Sequence, residues 1–315
     1  MNDMGTPYAF WLFNPERQVK YFAISLIDEG GFGQVWYGVT AEGLPIAIKI
    51  IKPTADYIQD FSTWFTDQQV HLMCLNHTYI VTTFDQFVST DGKLVLVMEH
   101  GGGSLESMLN QQVKFTNKSI CAIATQILAA LHYIHNLNVV HRDVTLKNII
   151  WFNGGIFKLC DFGISKPNVQ PGEYARTFIG HKSYIAPELL YAGHTTHQSD
   201  IYQLGLVLLT LKTGKHPIPL NATTEQTRQM ILDGIPRRIA DSLIATHGRI
   251  AEIISIMLRR HDVYRFSNAM EAWKEFEKEF KNQENIEQII NSLTKPMGIN
   301  LPPWLLDNNQ SQTKA

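Results

Sequence analysis

Cysteine is scarce in this chain: Cys74, Cys121 and Cys160 are odd in number and widely spaced among 315 residues. That excludes a disulfide framework and a Cys-x-x-Cys metal site, and it points to a reducing, cytoplasmic setting. An excess of one charge is lacking too, with 27 Lys and Arg against 29 Asp and Glu and a formal net charge of -2. Nothing global would therefore draw the protein onto nucleic acid or an anionic membrane, and any polyanion must be held locally. Long apolar runs are absent: residues 120–131 and 201–211 are the most apolar and fall short of the ~20 residues that span a bilayer. Residues 8–13 are aromatic and apolar but lack a basic leader, and Asn14-Pro15 ends them, so they are read as an extension packing on the domain rather than a signal. No period of twenty to fifty residues repeats, which excludes a solenoid. His132 with His135, and His194 with His197, lack a third ligand nearby and are expected to be surface histidines.

What is present suits a large core, since 44% of residues are hydrophobic. Residues 21–27, 34–39, 45–51, 80–88 and 93–99 are rich in β-branched and aromatic side chains and predict strands. Ala41-Glu42-Gly43 and Thr90-Asp91-Gly92 have hairpin composition. Helical spacing over residues 55–75 places one main helix inside this small antiparallel sheet. After Gly101-Gly102-Gly103 the chain turns helical. Ile120, Ile123, Ile127, Leu131 and Ile134 make one face of a helix over 117–135. Two short strands at 148–152 and 156–160 flank Asn153-Gly154-Gly155. Helices follow at 199–213, after the capping box Thr223-x-x-Gln226, at 250–258, at 268–280, and in the tail at 284–293. The expected division is a 1–20 extension, an N-lobe over 21–99, a hinge and C-lobe over 100–280, and a helix and tail over 281–315.

Gly30-Gly31-Phe32-Gly33 sits between two predicted strands, where missing side chains let backbone N–H groups approach phosphate oxygens. Alone, a flexible hairpin explains it as well. Lys49 follows in the hydrophobic strand Ile46-Ala47-Ile48, where an ammonium needs an anion. His141-Arg142-Asp143-Val144-Thr145-Leu146-Lys147-Asn148, then Asp161-Phe162-Gly163, Ala186-Pro187-Glu188, Asp200 and Arg265 complete an ordered series. In order and spacing this series resembles the eukaryotic-type protein kinase superfamily, in its serine/threonine kinase-like form, over roughly residues 21–280.

The resemblance implies an α+β, bilobal protein kinase fold with a small antiparallel β-sheet N-lobe and a larger helical C-lobe. It implies ATP and Mg²⁺ as cofactors, with Mn²⁺ as an alternative ion, and a protein substrate. Nucleic acid and membrane are not expected partners, whereas autophosphorylation in trans is. It assigns Asp143 to the acceptor hydroxyl, Lys49 to the α- and β-phosphates, and Asn148 and Asp161 to the metal. Ile27, Gly30, Gly31, Phe32 and Gly33 would cover the nucleotide, Val35, Ala47 and Ile150 would enclose adenine, and Glu99, His100 and Gly101 would form the hinge behind Met98. His141 and Phe162 are expected to pack, and Glu188 with Arg265 to form a buried pair. Arg142 and Thr177 would regulate through activation-segment phosphorylation, with Tyr174 and Ser165 as lesser acceptors.

Four positions depart from the family pattern. Asp28 stands at the first glycine, and Gln68 stands where a glutamate pairs the strand lysine. Thr145 stands where serine/threonine kinases carry a lysine, with Lys147 two residues on, and His181 replaces a threonine. They motivate the alternative of a pseudokinase acting as a nucleotide-binding or scaffolding module. A small-molecule kinase is disfavoured by the complete segment ending at Glu188.

Overall fold

The computed structural model describes residues 9–30, 33–51, 75–162, 182–219 and 221–281. The helices expected at 55–75 and 284–293 lie outside the described residues. The chain divides into two compact units, Met1–Gly101 and Gly102–Ala315.

The first unit is an antiparallel sheet of β1 (Phe10–Asn14), β2 (Val19–Gly30), β3 (Gly33–Thr40), β4 (Pro45–Ile51), β5 (Thr83–Val88) and β6 (Leu94–Glu99), in the order β1-β2-β3-β4-β6-β5. Alternation sorts its side chains. Trp36, Ile48 and Val97 fall on one register row and enter the core. The strand reading began at Tyr21. The structure adds β1, paired to β2 from Phe10↔Ala23 to Asn14↔Val19, so residues 10–14 pack on the sheet as its edge strand. β1 and β5 are the two edges, yet they share a buried carboxylate. Asp85 accepts from Asn14 Nδ2 at 2.7 Å and from the Tyr21 hydroxyl at 2.8 Å. The sheet must curl to make these contacts, and two register shifts in β2, between Ala23 and Ser25 and between Leu26 and Asp28, supply bends. Burial, followed by the hydrogen bond to Asp85, pushes the Tyr21 phenol well above its ordinary pKa.

The second unit opens on β7 (Gly103–Ser104), which pairs with the hairpin of β8 (Ile149–Phe152) and β9 (Ile156–Leu159). Its helices are α1 (Leu105–Asn110), α2 (Asn117–Asn136), α3 (Pro187–Ala192), α4 (His197–Thr213), α5 (Thr224–Leu232), α6 (Ile235–Ser242), α7 (Ile244–His247), α8 (Arg249–Met257) and α9 (Ala269–Lys281). Thr116 caps α2, accepting from Ser119 N at 3.2 Å, and the predicted Ile stripe of α2 is buried. The capping box forms as read: Gln226 N donates to Thr223 Oγ1 at 3.2 Å, and Thr223 N to Gln226 Oε1 at 2.9 Å. α4 is buried from Ser199 through Leu211, as befits a helix apolar nearly all round. Its few polar side chains are thereby forced to find partners inside the protein.

Candidate active site

In the sheet unit, Val35 lies opposite Lys49, and Tyr37 opposite Ala47, which in turn lies opposite Met98. Trp36, Ile46, Ile48 and Ile50 point into the core, so Val35, Tyr37, Ala47, Lys49 and Met98 occupy the other face. Lys49 is only 8% exposed there. Gly30 and Gly33 close the β2–β3 hairpin, while Gly31 and Phe32 lie outside the described residues. A Cβ on Gly33 would stand 2.0 Å from Ile50 O, and its φ is +140°. Glycine is therefore required at 33 by the sheet itself, independently of any ligand. Asp28, at the first-glycine position, accepts from Glu29 N at 2.9 Å. Gln34 donates to Glu29 at 3.0 Å and accepts from Trp36 Nε1 at 3.3 Å, bracing the hairpin. Ile27 is exposed at the β2 register shift. Glu99 closes β6 and accepts from Thr82 N at 2.7 Å, and Gly101 ends the unit.

In the helical unit, α4 holds the loop that bears Asp143. Asp200 accepts from His141 N at 2.9 Å and Arg142 N at 2.7 Å. Gln203, one turn on, accepts from Val144 N at 3.0 Å and donates to Arg142 O at 2.7 Å. Held on both sides, Arg142 keeps a left-handed φ of 71°. Burial would raise the Asp200 pKa, but the hydrogen bond and charge of His135 and the surrounding donors outweigh it and hold the carboxyl below its ordinary value. Burial also brings the Arg142 guanidinium down to about 10, against the pull of Asp200.

Asn148 Nδ2 donates to Asp143 Oδ2 at 2.7 Å and to Asp143 O at 2.8 Å. Asp161 is reached through Cys160: Cys160 N donates to Asn148 O at 2.9 Å, and Cys160 O bonds His141 Nε2 at 3.0 Å. His141 Nδ1 accepts from Asp143 N at 3.3 Å, so Nε2 carries the proton. Its ring meets Phe162 edge-on at 4.8 Å, the packing role expected of both. Asp143, Asn148 and Asp161 are thus tied into one framework, with Asp161 at a φ of 64°. Ile150 lies on β8 opposite Lys158. Gln68 and Thr177 lie outside the described residues, as do Ser165, Tyr174 and His181.

Glu188 and Arg265 form the expected buried pair, at 2.8 and 2.7 Å through two guanidinium nitrogens. Thr145 is 1% exposed, and its hydroxyl has no hydrogen-bond partner among the described residues. Lys147, two residues on, pairs with Glu106 at 3.7 Å. Sequence reasoning missed two supports of the loop. Gln203 is one. The other is His135, read as a surface histidine but buried, bonded to Asp200 at 2.8 Å and stacked on His197 at 4.3 Å. Among the described residues no helix is long and apolar enough to cross a membrane.

A model of the protein kinase domain family matches residues 21–295. Ribosomal protein S6 kinase alpha-6 of Danio rerio is 30% identical over 219 residues, which are 68% of this chain and 29% of that protein. Serine/threonine-protein kinase 36 of Pongo abelii is 30% identical over 200 residues, 63% of this chain and 15% of its own length. Serine/threonine-protein kinase TIO of Arabidopsis thaliana is 29% identical over 216 residues, 68% of this chain and 16% of its own. The chain thus spans less than a third of each of these curated relatives. With a curled antiparallel sheet followed by a helical unit, and a match over residues 21–295, the chain belongs to the protein kinase domain family.

Proposed function

We propose that this chain is an ATP-dependent protein kinase that transfers the γ-phosphoryl group to a serine or threonine hydroxyl of a protein. The observation that carries this is the Asn148–Asp143 contact. Asn148 spends its amide nitrogen on Asp143, which leaves its carbonyl oxygen without a partner among the described residues. An amide oxygen and the Asp161 carboxylate are hard donors, and they fit Mg²⁺, which would neutralise phosphate charge. Mn²⁺ would suit the same donors.

Asp143 would orient the acceptor hydroxyl and receive its proton. The hydroxyl oxygen forms the new bond to phosphorus as the bond to the leaving diphosphate oxygen breaks. Lys49, shielded on its face of the sheet, would hold the α- and β-phosphates. Val35, Ala47 and Met98 would pack on adenine with Ile27, Glu99, Gly101 and Ile150 as further neighbours. The names of the relatives support serine and threonine over tyrosine. Arg142 would hold a phosphate on Thr177, a regulatory role for that pair, and Gln68 would hydrogen-bond Lys49 without adding charge.

Incubation with labelled ATP and Mg²⁺, followed by mass spectrometry of modified residues, tests this. Label on serine or threonine is expected, lost in Asp143→Asn and in Lys49→Ala. Nucleotide binding without transfer to any protein substrate would sink the proposal and favour a scaffolding pseudokinase.

A further inference from the structure

His100 follows Met98 by two residues, and its half-buried ring stands edge-on to Tyr37, with centroids 4.9 Å apart and planes at 67°. Tyr37 shares a register row with Ala47 and Met98, on the face that carries Val35 and Lys49. The pair therefore extends the candidate nucleotide face beyond its Met98 end. Neither His100 nor Tyr37 has a hydrogen-bond partner among the described residues. A half-buried imidazole normally finds one, because each ring nitrogen is a donor or an acceptor.

Its surroundings favour the neutral ring. Burial pushes the His100 pKa down, with no charged neighbour contributing among the described residues. Glu99 accepts from Thr82 N. Lys49 stands in the next same-face row, beyond Ala47. Tyr37 contributes the edge-on phenol ring. A neutral imidazole, held at a fixed angle and offering two unclaimed nitrogens, is suited to a flat ligand with polar edges.

We propose that His100, braced by Tyr37, binds the purine nucleoside directly through a hydrogen bond from its neutral imidazole. This rests on the nucleotide-binding function proposed above. A bound nucleoside would remove water from the ring and disfavour its charged form further. Affinity should therefore fall as the solution becomes acidic enough to protonate His100 in the free protein.

Adenosine is the suitable probe, since it stays uncharged over the range where ATP phosphates titrate. Calorimetric affinities at about pH 7.5 and about pH 5.5, on either side of the ordinary histidine pKa, would be compared for three proteins. For the wild type, weaker binding at the lower pH is expected. For His100→Phe, about fivefold weaker binding at the higher pH is expected, the worth of one hydrogen bond, with no further loss on acidification. His100→Gln should keep affinity at the higher pH and lose the pH dependence; it also serves if the Phe variant does not fold. Wild-type affinity in both variants at both pH values, or an unchanged acid loss in both, would overturn the role of His100 alone. A wild-type protein that binds neither adenosine nor ATP would overturn this role together with the proposed function.

Discussion

Gln203 donates to the carbonyl oxygen of Arg142 at 2.7 Å and accepts the Val144 N–H at 3.0 Å, bracketing Asp143 from both sides. Gln203→Leu would leave both backbone groups buried without partners, at a cost on the order of 2–4 kcal/mol in sum. Chemical denaturation should show a lower midpoint. Phosphoryl transfer should fall more than nucleotide affinity, since Lys49 is untouched. An unchanged midpoint would mean water replaces the amide fully.

Glu188 and Arg265 are both fully buried, and Arg265 also donates to the carbonyl oxygens of Arg259, Arg260 and Gln198. Arg265→Met strands a buried carboxylate, with an expected loss of about 3–5 kcal/mol. Adding Glu188→Met should recover part of that loss, because the uncompensated charge is gone while the orphaned carbonyls remain. Urea titrations of both variants check the order.

Gly33→Ala meets Ile50 O and a positive φ, whereas a Cβ on Gly30 meets nothing within 4 Å among the described residues. The first substitution should lower the melting temperature whether or not nucleotide is present. The second should leave melting unchanged, so any effect on ATP affinity at Gly30 reports contact with the ligand. Thermal shift with and without Mg-ATP separates the two.

Burial, then the neighbouring His135, lowers the His197 pKa against the opposing pull of Asp200. The unfolded chain, titrating near the ordinary value of about 6.5, binds that proton more readily than the native state. Stability should therefore drop as pH falls through about 6.5 and keep dropping until the native His197 protonates. His77, His100 and His247 are lowered as well and add to the slope. His197→Phe keeps a ring against His135 and should melt with a shallower pH dependence than the wild type; equal slopes would clear His197 of any part.

Local patterns made much of this protein legible. Asp143, Asn148 and Asp161 sit in short motifs, and the Ile stripe and the capping box depend on residues three or four apart. The rest depends on distant partners. His132 and His135 looked like one surface pair, but Asp200, 65 residues from His135, draws the latter inside. Gln203 was visible only as a polar residue one turn after Asp200 in an apolar run. Thr145 is legible as a departure from the family's lysine, but its burial is not. Residues 10–14 are legible as an extension packing on the domain, but their anchor at Asp85, 71 residues from Asn14, is not.

The tie from Asn14 to Asp85 also governs when this sheet can finish forming. The two residues are 71 positions apart. At ribosomal speeds of ~5–20 residues per second, β1 would wait roughly 4 to 14 s before its anchoring carboxylate is made. During that interval the Asn14 amide and the Tyr21 hydroxyl lack the carboxylate that accepts from both, and the aromatic hairpin of β1 and β2 is a natural client for whatever shields nascent strands.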